Sequence, residues 1–184
     1  MVEKNMRKEV LWITRTAIFT ALLVVVQAAT ASLGNTFVTG TMVNWLLIIT
    51  VMTCGLASGL TIATISPIIA KLFGIGPFWI LIPFIIIGNI TLVVLWNLIG
   101  NRSFGDKKIT SYIIAAIIAA VAKFVVLYLG VVQIAVPIIL RLPEKQAMAI
   151  SGMFSIPQLI TALAGGVLAI IILPVMKEAI SKNN

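Results

Sequence analysis

The stretch Thr14–Ser32, TRTAIFTALLVVVQAATAS, carries no charge after Arg15 and is long and apolar enough to enter a bilayer as a helix. At 3.6 residues per turn, Ala17, Ala21, Ala28 and Ser32 fall on one narrow face, while Phe19, Leu22, Val25 and Val26 lie elsewhere. Lipid tails are as apolar as leucine, so burying large side chains gives a membrane helix no special advantage. Small ones let another backbone approach closely. Two uses of this face stay open: packing within its own bundle, or docking of a partner subunit.

Beyond this stretch the composition is of one kind. Hydrophobic residues make up 61% of the 184-residue chain and charged ones 10%, and the mean hydropathy is +1.18. With its long uncharged runs, this reads as an all-α, polytopic membrane protein with a single transmembrane domain. The first apolar run is read as a span and not as a cleaved leader. The net charge of +8 does not point to nucleic acid, because the basic residues gather in the N-terminal segment, one middle loop and the C-terminal tail. Such clustering sets topology.

The residues missing from the chain exclude several chemistries. There is no histidine, and Cys54 is the lone cysteine, which rules out a zinc site, a Cys/His pair or a Ser-His-Asp triad. No Asp or Glu occurs between Glu9 and Asp106, and Glu144 and Glu178 lie outside the apolar runs. A proton relay of the usual intramembrane kind therefore has no carboxylate to use. No Walker motif is present, so ATP-driven work falls to another chain. No metal and no cofactor is expected on this chain.

Six spans are expected, at about 12–33, 42–54, 57–73, 78–99, 109–133 and 150–175, after a charged cytoplasmic lead-in over residues 1–13. Leu33–Thr41 and Val136–Ala149 read as external loops, and Gly100–Lys108 as a cytoplasmic one. Lys4, Arg7, Lys8, Arg15, Arg102, Lys107, Lys108, Lys177 and Lys182 then lie inside, and Lys71, Arg141 and Lys145 outside. Both termini are placed in the cytoplasm by this asymmetry. Trp79 and Trp96, near the ends of the fourth span, read as interface anchors.

Lys123 is the most informative single residue. Near the middle of the fifth span, a lysine costs about 2.5–3.5 kcal/mol on insertion scales, so it should face the bundle or a wet cavity. Backbone carbonyls, amide oxygens, water or a ligand's anionic group must meet its charge, or the amine sheds its proton. A structural lysine bonded to carbonyls or snorkelling outward fits as well as a ligand-binding one. Its small neighbours Ala116, Ala119, Ala120 and Gly130 allow close packing or an open pocket. Gln27, Asn35, Asn44, Asn89 and Gln158 can reach the external half of the bundle, and an amide offers both donor and acceptor to a neutral heterocycle. Trp45, Trp79 and Tyr128 could stack on such a ring. Interhelical amide bonding explains each polar residue about as well.

Three passages carry a family resemblance: Ala17-xxx-Ala21; Cys54–Leu60 (CGLASGL), leading to Pro67 and the Phe73-Gly74 turn; and Pro157–Gly166 (PQLITALAGG). With the span count and charge layout, the chain resembles a substrate-binding (S) component of an energy-coupling-factor (ECF) vitamin transporter. That resemblance implies a six-helix bundle in a prokaryotic cell membrane that captures a vitamin or precursor from outside with high affinity. It also implies delivery by toppling in the membrane, docked on a coupling transmembrane subunit and two ATPase subunits that use the ATP. It assigns Ala17 and Ala21 to coupling-subunit contact, and Asn35, Asn89, Lys123 and Gln158 to the ligand. An autonomous small-molecule secondary transporter is the alternative, with sodium coupling through backbone carbonyls. A membrane enzyme would have almost no catalytic equipment, and a scaffold would have no need of Lys123.

Overall fold

Asn35 sets where the second helix begins. In the computed structural model, which describes residues 2–31, 35–76, 78–102 and 108–182, its side-chain oxygen accepts from Phe37 N at 3.0 Å and Val38 N at 3.4 Å. Two of the backbone donors that a helix start leaves unmet are thereby satisfied. Helix α2 accordingly runs Thr36–Cys54, following α1 over Val2–Ala31. The loop expected at Leu33–Thr41 is corrected from residue 36 onward; Leu33 and Gly34, like Ser32, lie outside the described residues. Thr36, Thr39 and Gly40 looked loop-like by composition, but they are the cavity-facing side of a helix.

Only Gly55, at φ 91°, separates α2 from α3 (Leu56–Leu72). A side chain there would be strained, so glycine permits the one-residue joint. A short 3₁₀ turn, Trp79–Leu81, leads into α4 (Ile82–Gly100). Helix α5 spans Lys108–Leu127 and continues as a π-helix through Tyr128–Leu140. The external loop expected from Val136 therefore starts later and is mostly helical. The π segment carries Pro137 inside it, whose missing N–H removes one backbone hydrogen bond from the segment. It ends where Arg141 turns left-handed (φ 46°) and donates its N–H to Val136 O. After Pro143, α6 occupies Glu144–Met153, and α7 follows over Ile156–Lys182. The stretch expected as one span from 150 is thus split at Phe154–Ser155. Of the cytoplasmic loop expected at Gly100–Lys108, residues 103–107, with Lys107, lie outside the described residues.

The described residues form no strand. Five helical segments are long and apolar enough to cross a membrane, and the shorter α3 is apolar too. Helix α2 is the axis of the bundle: Leu46–Met52 is buried without a break, as expected of a helix that is apolar all round. Around it, Ile62 and Ala63 of α3, Leu92 and Val93 of α4, Ala115 and Ala119 of α5, and Ala162 and Ala169 of α7 close the main core. The alanines near Lys123 are therefore close-packing residues. Trp96 belongs to this core and is fully buried, its ring 6.2 Å from that of Tyr112. It is not an interface anchor, whereas Trp79 is half exposed. A second, smaller core joins Leu81, Leu127, Val131, Val136, Ile150 and Phe154.

Helix α1 packs on α2 and α3 from one side. Thr16, Leu23 and Gln27 are its buried positions, and Thr16 Oγ1 lies 2.8 Å from Ser58 Oγ on α3. Ala17, Ala21 and Ala28 point the other way and are exposed. These three residues are therefore not buried against the other described helices.

A cavity floored by a lysine and two asparagines

Lys123 occupies the inner wall of α5, and its burial is set by the alanines one turn away, which bring α4 and α7 close. Its ammonium lies 2.6 Å from Asn44 Oδ1 on α2 and 2.7 Å from Asn89 Oδ1 on α4. These distances mark both as hydrogen bonds from a strong donor. All three residues are buried, at 3%, 1% and 2% exposure for Lys123, Asn44 and Asn89. Of the partners left open for the lysine, amide oxygens are the ones that meet it. Asn44 Nδ2 in turn approaches Thr161 Oγ1 on α7 at 3.4 Å, and Thr161 Oγ1 donates to Gln158 O at 3.2 Å. Three helices are joined to α5 through this one cluster.

The cluster is the floor of a cavity of about 540 Å³, in the usual range for small-molecule sites. Asn35, Asn89, Lys123 and Gln158, four residues far apart in sequence, all line it. Asn35 does so at the exposed mouth, where its oxygen is committed to capping α2 and its amide nitrogen is not. Gln158 Nε2 donates to Met153 O at 3.2 Å. Ala17 and Ala21 do not line the cavity; they lie on the outer face of α1.

Two further cavity residues, Asn44 and Thr161, were not among the four. Asn44 stood among the amides of the spans, but nothing in its own stretch ties it to Lys123, 79 positions away. The expected aromatic stackers are also corrected: Trp45, Trp79 and Tyr128 are not lining residues, and Phe78 and Phe154 are. Trp45 packs against the main core, and Tyr128 sits against Phe124 at 5.7 Å between ring centres.

Gln27 lines the cavity from α1, and its Oε1 is buried without a hydrogen-bond partner. Leaving a buried acceptor unmet costs about 1–3 kcal/mol. Such a group is retained at the expense of stability where a ligand or water meets it. Gln27→Leu is expected to raise the thermal stability of the ligand-free protein by about 1 kcal/mol while weakening ligand binding. A melting curve and a titration on the same preparation check both signs.

A family model described as ECF transporter, substrate-specific component, matches residues 12–176. No curated protein and no solved structure matches the chain significantly.

Proposed function

The chain belongs to the substrate-specific components of ECF transporters, and from that premise we propose that it captures a vitamin or vitamin precursor with high affinity in the Lys123 cavity. It is a multi-pass membrane protein and a transporter subunit. In the proposed cycle it lies in a prokaryotic cell membrane with both termini in the cytoplasm, receives its ligand from outside, and delivers it by toppling while docked on a coupling subunit and two ATPases. ATP is used by those partners; this chain supplies recognition. The bilayer is its solvent, and small residues on α1 supply the docking face, with Ala17 and Ala21 at its centre.

One observation supports the capture reading above the rest. A single cationic side chain among the described lining residues is buried under a 540 Å³ cavity and held by two amides from different helices. An arrangement of this kind is suited to binding and orienting a small molecule. A bundle whose helices meet through small residues also moves as one body, as toppling requires.

Native mass spectrometry of the detergent-purified protein tests the capture role. One vitamin-sized molecule per chain is the expected result. A chain that stays empty after exposure to a vitamin panel would refute capture. Uptake by liposomes holding this chain alone would identify an autonomous carrier instead.

A further inference from the structure

We propose that the ligand is a small carboxylic acid bearing one negative charge, which enters acid-first and seats its carboxylate on Lys123 and Asn89 at the cavity floor. The inference rests on the capture reading and narrows its substrate class.

Charge comes first. Lys123 is the ionisable side chain among the described lining residues, and Glu9, Glu144 and Glu178 lie elsewhere. Amide oxygens solvate an ammonium but do not neutralise it. A buried charge without a counter-charge is costly, and a single anionic group on the ligand removes that cost. A dianion such as a phosphate monoester would leave an excess negative charge buried in its place.

The hydrogen-bond inventory points the same way. An ammonium has three N–H donors, and Asn44 and Asn89 take two of Lys123's. Because both asparagines turn their oxygens to the lysine, their amide nitrogens face away from it. Asn44 Nδ2 goes to Thr161, while Asn89 Nδ2 has no acceptor among the described residues. The floor therefore offers unused donors, and its amide oxygens are already engaged. A carboxylate accepts only, and its two oxygens match a lysine N–H and an amide N–H. An amide, alcohol or amine would bring donors to the Lys123–Asn89 floor, whose acceptors are taken; the one unpartnered buried acceptor of the described lining, Gln27 Oε1 on α1, is left for a donor elsewhere on the ligand.

Burial gives the orientation. The floor residues are nearly inaccessible, whereas Asn35, Gly76 and Phe78 at the mouth are exposed. The rest of the lining is mostly apolar, with Val43, Ile85, Leu127 and Phe154, and Gln27, Thr36 and Thr39 add polar groups from α1 and α2. The acid group therefore lies innermost, an apolar or heteroaromatic body follows, and a polar end meets the Asn35 amide nitrogen at the mouth.

Calorimetric titration of the purified full chain with matched pairs tests this: nicotinate and nicotinamide, lipoate and lipoamide, biotin and biotin amide, pantothenate and panthenol. At least one acid is expected to bind about a hundredfold or more tighter than its neutral partner, and Lys123→Met to erase that preference. The wild-type comparison stands alone if the variant does not fold. A neutral partner binding within about tenfold of its acid, or no acid binding at all, overturns the proposal. In either case a neutral or cationic vitamin that binds leaves the capture reading standing; no binding by any compound removes both.

Discussion

Tryptophan at Ala17 and Ala21 is expected to abolish copurification with the coupling subunit while leaving ligand affinity and the melting temperature unchanged. The two alanines sit one turn apart on the exposed side of α1, opposite the positions that hold the helix to its bundle, Thr16, Leu23 and Gln27. A substitution there points away from the described bundle, so the fold and the cavity are expected to be spared. Docked helices of this type come close because their facing residues are small. An indole at each position overpacks that contact by about 1–3 kcal/mol, and the double variant removes enough to lose the complex. Leu22→Trp is the control: it is also exposed, on the same helix, but off the alanine face. Loss of assembly with Leu22→Trp as well would mean that α1 tolerates no bulk anywhere, and the alanine face would have no special role. Normal assembly of the double variant would place the coupling contact on another helix.

The limits of the sequence reading follow from which interactions are local. Apolar runs and their lengths are local, so the helices were legible. So was the need of Lys123 for a partner other than a carboxylate, because it followed from composition alone; which of carbonyls, amides, water or a ligand would meet it did not. Asn35 was legible as a polar residue of the first connection, but not as the cap that starts α2 at Thr36. Thr36, Thr39 and Gly40 are polar because they face a cavity, and periodicity does not separate that from a loop. Pro137 signals a chain break in an α-helix, whereas the segment that carries it stays helical and packs with Leu81 and Ile150 through Val131 and Val136. Trp96 has the composition of an anchor and the location of a core residue. Above all, the pairing of Lys123 with Asn44 depends on how closely α2 approaches α7, and no single stretch encodes that.

That approach can be tested at one atom. Gly165→Ala is expected to lower ligand affinity by about tenfold or more and to destabilise the protein by about 1–3 kcal/mol. A Cβ at residue 165 would lie 2.8 Å from Asn44 Cβ, 2.8 Å from Trp45 N and 2.9 Å from Thr41 O. Two of these are backbone atoms of α2, which cannot swing aside as a side-chain end can, so α2 and α7 must separate. The residue pushed is Asn44 itself, whose Oδ1 holds Lys123 at 2.6 Å. Displacing it by even a few tenths of an ångström frees the lysine from one of its two acceptors and disturbs the donors offered to a ligand. Gly152→Ala is the matched control. It lies in helix α6 with nothing within 4 Å of its Cβ, so it is expected to be neutral or to stabilise by up to about 1 kcal/mol through helix propensity. Melting curves and ligand titrations on both variants separate the two effects. If Gly165→Ala loses stability but keeps full affinity, the α2–α7 distance supports the fold without setting the floor of the site, and Asn89 alone positions Lys123.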